Sequence, residues 1–426
     1  MVVGIDVLSR LYRYLTPSEA LRILIEGLGR REYLIDVRRA LGKVLAEDVY
    51  SPIDRPWTNL SHVDGFAVHS KDTLDATSTS PIKLRVIEGV DPRNAHEYSL
   101  KNGEAVFVET GYPIPKGADA VIPVEAVKVV DNYILVYSSV KPGFNVTPKA
   151  GDIGRGKLVA RKGTVITPAL QKLMIDLGIR NVKVYDNPKV VVIGVGDELV
   201  DEVISPTTSK IPNSSTYMVK GILNYYGANI VKTMILPDEP EKLVNEIKEL
   251  ANNVDVVVTI GGVSMGPRDY TWISLKEKLG VAKYFRGLRI QPGRATSGLR
   301  ISDSVVINMP GLPQSTLASL VFILLPLINY LRGIGPYIKL PYTIAVNKRK
   351  VKIRKYPSFH RIRYVTLEDK YAEVVAETDS YYASPIALTD GFTIIPPGKT
   401  IIDENEEIKV YHLPPIHEIP YSDVLP

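Results

Sequence analysis

Val254 to Ile260 (VDVVVTI) is a β-branched run with no regular alternation of polar and apolar residues, and it ends at once in Gly261 and Gly262. Such a run suits a strand covered on both faces, as in a parallel sheet. The two glycines let the backbone turn tightly and expose N–H groups, and Asp269 stands just before a helix-like pattern, Tyr270 to Leu279. Strand, glycine turn and helix start together predict a ligand-binding edge. Helix N-termini favour anions, so a phosphate-bearing ligand is the first expectation. A plain strand-to-helix turn has the same pattern, because Gly-Gly-X-Ser is short and common.

The surrounding chain supports a sheet. From Lys189 to Gly333 strand and helix patterns alternate. Strands are predicted at Val190 to Val195, Asn229 to Leu236, Val254 to Ile260 and Val305 to Met309. Helices are predicted at Ser214 to Tyr226, Glu241 to Asn252, Thr271 to Leu279 and Ser315 to Leu331. The last (STLASLVFILLPLINYL) is nearly all apolar, but it is shorter than the ~20 residues a membrane span needs and contains Pro326, so a buried helix capped by Ser315 is expected. Residues 57 to 147 change to short β-branched runs cut by Gly, Pro and Asn, the pattern of a small β domain inserted into the chain. Pro341 to Leu413 predicts a second β unit. Thr16-Pro17-Ser18-Glu19 is a capping box that opens the first helix.

Carboxylates gather at the predicted strand ends: Glu198 in the first loop, Asp238 in the second, Asp269 in the third. Bare carboxylates repel a phosphate, and a hard cation between them resolves the conflict, although each acid also suits a helix N-cap. Arg289, Arg294 and Arg300 follow in one Gly- and Pro-containing stretch, where guanidinium forks suit an oxyanion or simply form a surface charge cluster. In the β insert, Asp64-Gly65 and Thr110-Gly111 are loop candidates that turn chemistry alone could also explain.

Composition narrows the classes. Among 426 residues, 52 basic against 47 acidic leave a net charge of +5 with no basic block, which favours small anionic ligands over nucleic acid. With no cysteine and six scattered histidines, thiolate and histidine metal sites are not expected, and a reducing, cytoplasmic setting is. The opening stretch MVVGIDVLSRLYRYLTP lacks the pattern of a secretion signal.

The combination GDEL (196–199), GGVSMGPRDY (261–270), PGR (292–294) and PGLPQS (310–315) in one βαβ region resembles the MoeA/gephyrin E-domain family, the molybdopterin molybdenumtransferases. ALGKVLAEDVYSPIDRP, SHVDGFAV, TGYPIPKGADAVIPVE, KAGDIGRG and DLGIRNVKVYDNPKVVVIGVGDELV follow the family in order, so the resemblance runs from about residue 16 to 413.

It implies a multidomain α/β plus β subunit. A helical linker domain would take residues 1–52 and 148–187, the inserted β domain 53–147, a three-layer molybdopterin-binding α/β domain with a mostly parallel sheet 188–335, and a β-barrel-like domain 336–413, with a tail at 414–426 that is expected to fray. It further implies a homodimer whose active site lies between the α/β domain and the partner's inserted domain. The implied reaction inserts molybdate or tungstate into adenylylated molybdopterin, with Mg²⁺-dependent release of AMP. A protein that adenylylates molybdopterin and recipient molybdo- or tungstoenzymes would be its partners.

Position by position, the resemblance assigns Asp64, Thr110, Asp152 and Asp269 to catalysis and Glu198, Asp238 and Asp269 to the metal. Gly261, Gly262, Ser264, Arg294, Ser315 and, more loosely, Arg361 fall to substrate binding. The chain departs from the family pattern at Val63, at Gln291 where a cation is usual, at Leu312 and Gln314, and around Asn213. A non-catalytic carrier of molybdopterin or of the finished cofactor is the second reading.

Overall fold

The computed structural model describes residues 14–206, 209–262, 275–276, 278, 281–353, 355–375 and 379–413. The chain divides into two compact units: Leu34–Leu41 with Glu47–Lys183, and the described residues on either side together with Gly42–Ala46. Helix α1 (Pro17–Ile25) opens on the expected capping box, with Thr16 Oγ1 accepting from Glu19 N–H and the Glu19 carboxylate accepting from Thr16 N–H. Its Ala20, Leu21 and Leu24 pack into the core of the second unit.

The inserted unit is built on six strands, β1 (Gly65–Val68), β2 (Ile82–Val86), β3 (Glu104–Val108), β4 (Ala120–Pro123), β5 (Val127–Val130) and β6 (Tyr133–Val136), in the order β4-β1-β3-β2-β6-β5. Alternate residues feed two cores: Phe66, Ala105 and Ile122 one, Ala67, Val106 and Val121 the other. Helix α2 (Pro168–Asp176) also belongs to this unit.

The other unit holds a six-stranded sheet of β7 (Lys189–Val195), β8 (Asn229–Leu236), β9 (Val256–Ile260), β10 (Tyr284–Arg286), β12 (Ser297–Ile301) and β13 (Ser304–Met309). A two-residue strand, β11 (Ile290–Gln291), leaves this sheet for another. The order is β8-β7-β9-β13-β12-β10, with the first four strands parallel and the last two antiparallel. Both faces are apolar. Val190, Val192, Val256 and Val258 face one core with α1, α3 (Ser214–Tyr225) and the C-terminal helix, while Val191, Ile193 and Val257 meet α4 (Pro240–Ala251) on the other.

The C-terminal helix, α5, runs over Pro313–Leu331. It is long and apolar enough to cross a membrane, yet 89% of its most apolar stretch is buried inside this fold. Its cap differs from expectation: Leu312 is the N-cap and Pro313 starts the helix, so Ser315 lies inside the first turn. Proline at the first helical position gives up no intrahelical bond. A π-helical turn over Leu320–Leu324 precedes Pro326 and accommodates the N–H that proline lacks.

Five further strands, β14 (Tyr342–Asn347), β15 (His360–Glu368), β16 (Tyr371–Val374), β17 (Gly391–Ile395) and β18 (Glu407–Tyr411), close in the order β15-β16-β14-β18-β17 and back to β15. This is a closed five-stranded barrel filled by Val365, Val374, Ile395 and Val410. Strand β11 pairs in parallel with its β15, Ile290 with His360 and Gln291 with Arg361. The expected tail at 414–426 and most of the Thr271 to Leu279 helix lie outside the described residues.

Candidate functional site

At the carboxyl ends of β7, β9 and β13 the backbone is drawn so close that side chains are excluded. Gly261 has φ +94°, and a Cβ there would stand 2.3 Å from Val195 O; Gly262 has φ +63°, and its Cβ would stand 2.7 Å from Val195 Cγ1. Gly261 N–H donates to Met309 O at 3.0 Å, locking the turn to the neighbouring strand end. Beneath the rim a buried polar chain, which the sequence pattern did not announce, ties three strands: Thr259 Oγ1 donates to Asn308 Oδ1 at 2.9 Å and Asn308 Nδ2 to Ser297 Oγ at 3.1 Å.

Asn213, at the start of α3, is also sealed in. It accepts from Thr216 Oγ1 at 2.7 Å, and a Cβ on Gly194 would stand 2.6 Å from its Oδ1. Above this rim opens a cavity of about 750 Å³, of the size that small-molecule sites have. Glu198, Ser214, Gly261, Leu312, Tyr381 and Tyr382 are among its walls, so the barrel domain contributes to it through a pair of tyrosines.

Of the predicted acids, Glu198 lines this cavity and Asp238 borders the glycine turn, its Oδ1 lying 3.5 Å from where a Gly262 Cβ would be. Asp269 and Ser264 lie outside the described residues. Among the described residues no three His, Asp or Glu side chains converge as a metal set. Mg²⁺ does not require three, since one or two carboxylates plus ligand oxygens satisfy it. Ser315 is buried at the base of α5, its carbonyl accepting from Ser319 Oγ at 2.7 Å.

The arginines do not converge as expected. Arg289 Nε donates to Tyr14 O at 3.1 Å, and Arg300 donates to the carbonyls of Glu26 at 2.6 Å and Ser302 at 2.7 Å. Only the 289–294 part of their stretch is loop with a short strand, because Ser297–Ile301 is a sheet strand that carries Arg300 away. Arg294 stays exposed and bonds to the Tyr356 hydroxyl, its guanidinium 5.2 Å from that ring's centre. Arg361 is fully buried, and its Nη2 donates to the carbonyls of Lys399 at 2.6 Å and Pro396 at 3.2 Å. Its guanidinium is engaged by backbone.

In the inserted unit, Asp64 and Thr110 do come together. One Asp64 oxygen accepts from the Thr110 N–H and from its hydroxyl, both at 2.7 Å, and these bonds, the backbone one first, hold the carboxyl below the usual aspartate range. The adjacent Gly65 is a packing glycine as well as a loop one, since a Cβ would stand 2.1 Å from Ile122 O. Asp152 pairs with Arg55, which also reaches Asp176 at 2.8 Å, and Lys172 meets the same Asp176 at 2.5 Å, a four-membered ion network.

Comparison with known proteins finds matches to three family models along the chain. The family model "MoeA N-terminal region (domain I and II)" matches residues 15–178, "Probable molybdopterin binding domain" matches 191–330, and "MoeA C-terminal region (domain IV)" matches 345–413. The molybdopterin molybdenumtransferase of Haemophilus influenzae is 31% identical over 79% of this chain and 83% of its own length. That of Nostoc is 26% identical over 89% and 88%. A solved molybdopterin biosynthesis MoeA protein from Pyrococcus horikoshii superposes with a TM-score of 0.77 at 31% identity, covering 94% of this chain and 99% of that one. On fold, on motif order and on these matches along nearly its whole length, the chain belongs to the MoeA family of molybdenum cofactor biosynthesis proteins, the family of the molybdopterin molybdenumtransferases.

Proposed function

We propose that the chain is a transferase that inserts molybdate or tungstate into adenylylated molybdopterin and releases AMP. The observation that carries this reading is the cavity at the strand ends, whose wall includes Gly261 of the glycine turn and Glu198. A carboxylate there repels a phosphate, so a cation is needed to join them. Glu198 and Asp238 are the groups that would hold Mg²⁺, with Asp269 as the third acid carried by the family motif. Bound there, the ion would screen the phosphoanhydride charge. Gly261 and Gly262, packed against Val195, would present the backbone of the turn to the ligand, and Tyr381 and Tyr382 would limit its reach.

Asp64, kept ionised by Thr110, is the acid of the inserted unit, and Asp152 is braced by Arg55. A homodimer in the cytoplasm, supplied by a molybdopterin-adenylylating protein and serving molybdo- or tungstoenzymes, completes the proposal. The test is to incubate the protein with adenylylated molybdopterin, Mg²⁺ and molybdate or tungstate and to assay AMP. One AMP per pterin metallated, abolished by Asp269→Asn, supports the transferase. Tight pterin binding without AMP would establish the carrier reading instead. Rescue of activity on mixing Asp64→Asn with Asp269→Asn chains tests the shared site.

A further inference from the structure

Gln314 is only 5% exposed, a polar side chain sealed into the first turn of α5. Its Nε2 donates to two carbonyls of one short barrel-domain segment, Asp379 O at 2.9 Å and Tyr382 O at 3.0 Å, and its backbone N–H reaches Ser380 O at 3.3 Å. That segment is a tight turn in its own right. Tyr382 N–H donates to Asp379 O and Tyr381 N–H to Asp379 Oδ1, each at 3.0 Å. The turn presents Tyr381 and Tyr382, 68% and 53% exposed, and both belong to the wall of the 750 Å³ cavity that Gly261 and Gly311 also line. Large rings left this open offer a flat apolar face with a polar tip, suited to stacking on another flat ring.

We propose that Gln314 is a positioning residue: it latches the Asp379–Tyr382 turn to α5 so that Tyr381 and Tyr382 form an aromatic wall for the flat nitrogen heterocycle of a phosphate-bearing ligand. The latch stands on Gln314's own bonds, and the identity of the ligand rests on the molybdopterin reading above. An apolar residue at 314 has no side-chain donor for the two carbonyls: Asp379 O keeps only its bond from Tyr382 N–H, and Tyr382 O regains a donor only if the turn moves to water. The ring could be that of a pterin or that of an adenylate, and separate probes distinguish them.

The experiment compares full-length wild type with Gln314→Val. In the free protein, native-state hydrogen exchange should be about tenfold faster at the amides of Tyr381 and Tyr382 in the variant. In titration calorimetry with neopterin phosphate and, separately, AMP, the variant should bind one of the two about fivefold to twentyfold more weakly. The double substitution Tyr381→Ala with Tyr382→Ala should weaken binding similarly, and adding Gln314→Val to it should change affinity by less than about twofold, because the latch then has no wall to hold. A general loosening of α5 would add a further loss in that background and overturn the assignment. Equal exchange rates in wild type and variant would overturn the latch. Faster exchange with unchanged affinity for both probes would overturn the aromatic wall while leaving the molybdopterin reading intact. A wild-type protein that binds neither probe would overturn that reading and the wall with it, whatever the exchange shows.

Discussion

Replacing Arg361 by leucine separates a structural guanidinium from a substrate-binding one. In the structure the side chain is fully buried in the barrel and its Nη2 bonds two backbone carbonyls, Lys399 O at 2.6 Å and Pro396 O at 3.2 Å. Burial also pulls the guanidinium pKa down, the mark of a charge held at some cost. Leucine leaves Lys399 O without this donor, at about 1–3 kcal/mol, while Pro396 O keeps the Lys399 N–H at 3.3 Å. The relief of guanidinium desolvation offsets the loss of the second bond, so a net loss of about 1–3 kcal/mol is expected. At about 1.4 kcal/mol per decade, that predicts roughly 5- to 140-fold faster amide exchange along β15 and β17. Exchange measured by mass spectrometry on the full chain reads this directly, with AMP release at saturating and limiting molybdate as the second assay. Arg361→Leu with unchanged exchange but a steeply raised molybdate requirement would refute the reasoning and return Arg361 to the substrate.

Three other outcomes are expected. Gly261→Ala combines φ +94° with a 2.3 Å approach to Val195 O, so strain and overpacking should together cost at least about 3 kcal/mol. Gly27→Ala, at φ +68° in open space, is the control for strain alone, and denaturation midpoints compare the two. Thr110→Val removes one of two donors to Asp64, so the Asp64 carboxyl followed by NMR should titrate closer to the ordinary value of about 3.9, and an unmoved titration would show that the hydroxyl bond does not matter. His360 is half-buried and its imidazole is held below the ordinary range, chiefly by burial. Its stabilising contribution is therefore complete above the unfolded value of about 6.5 and is lost as pH falls through the folded one. Barrel stability should decline on acidification below that point, and His360→Gln should flatten the decline.

The central parallel strands β7 and β9 were legible because burial on both faces writes itself as apolar β-branched runs, while β8, an edge strand with exposed residues, also matches its predicted span, Asn229 to Leu236. Strand β12 was not. Its Gly298 reads as loop, but a Cβ there would stand 2.6 Å from Phe285 Cε1, so the glycine exists to admit a ring from β10. That requirement is set by a residue in another strand. The same reason dispersed the arginine cluster: the acceptors of Arg289 and Arg300 include Tyr14 and Glu26, more than 250 positions earlier in the chain, and sequence spacing carries no trace of them. The glycine turn and the Asp64–Thr110 pair could be picked out through motifs. The Tyr381–Tyr382 wall could not, because only the fold brings it to α5.

Strand β11 is two residues long, yet it belongs to the α/β domain by sequence and to the barrel by pairing, with His360 N–H donating to Arg289 O at 2.9 Å. A one-residue insertion between Gly287 and Arg294 would shift that pairing by one position and reverse which side chains face the barrel. The loop that carries Gln291 and Arg294 is thus frozen in length while its side chains remain replaceable. Diversification of this region across related chains should accordingly proceed by substitution, and any change in loop length should be accompanied by a compensating change in β15.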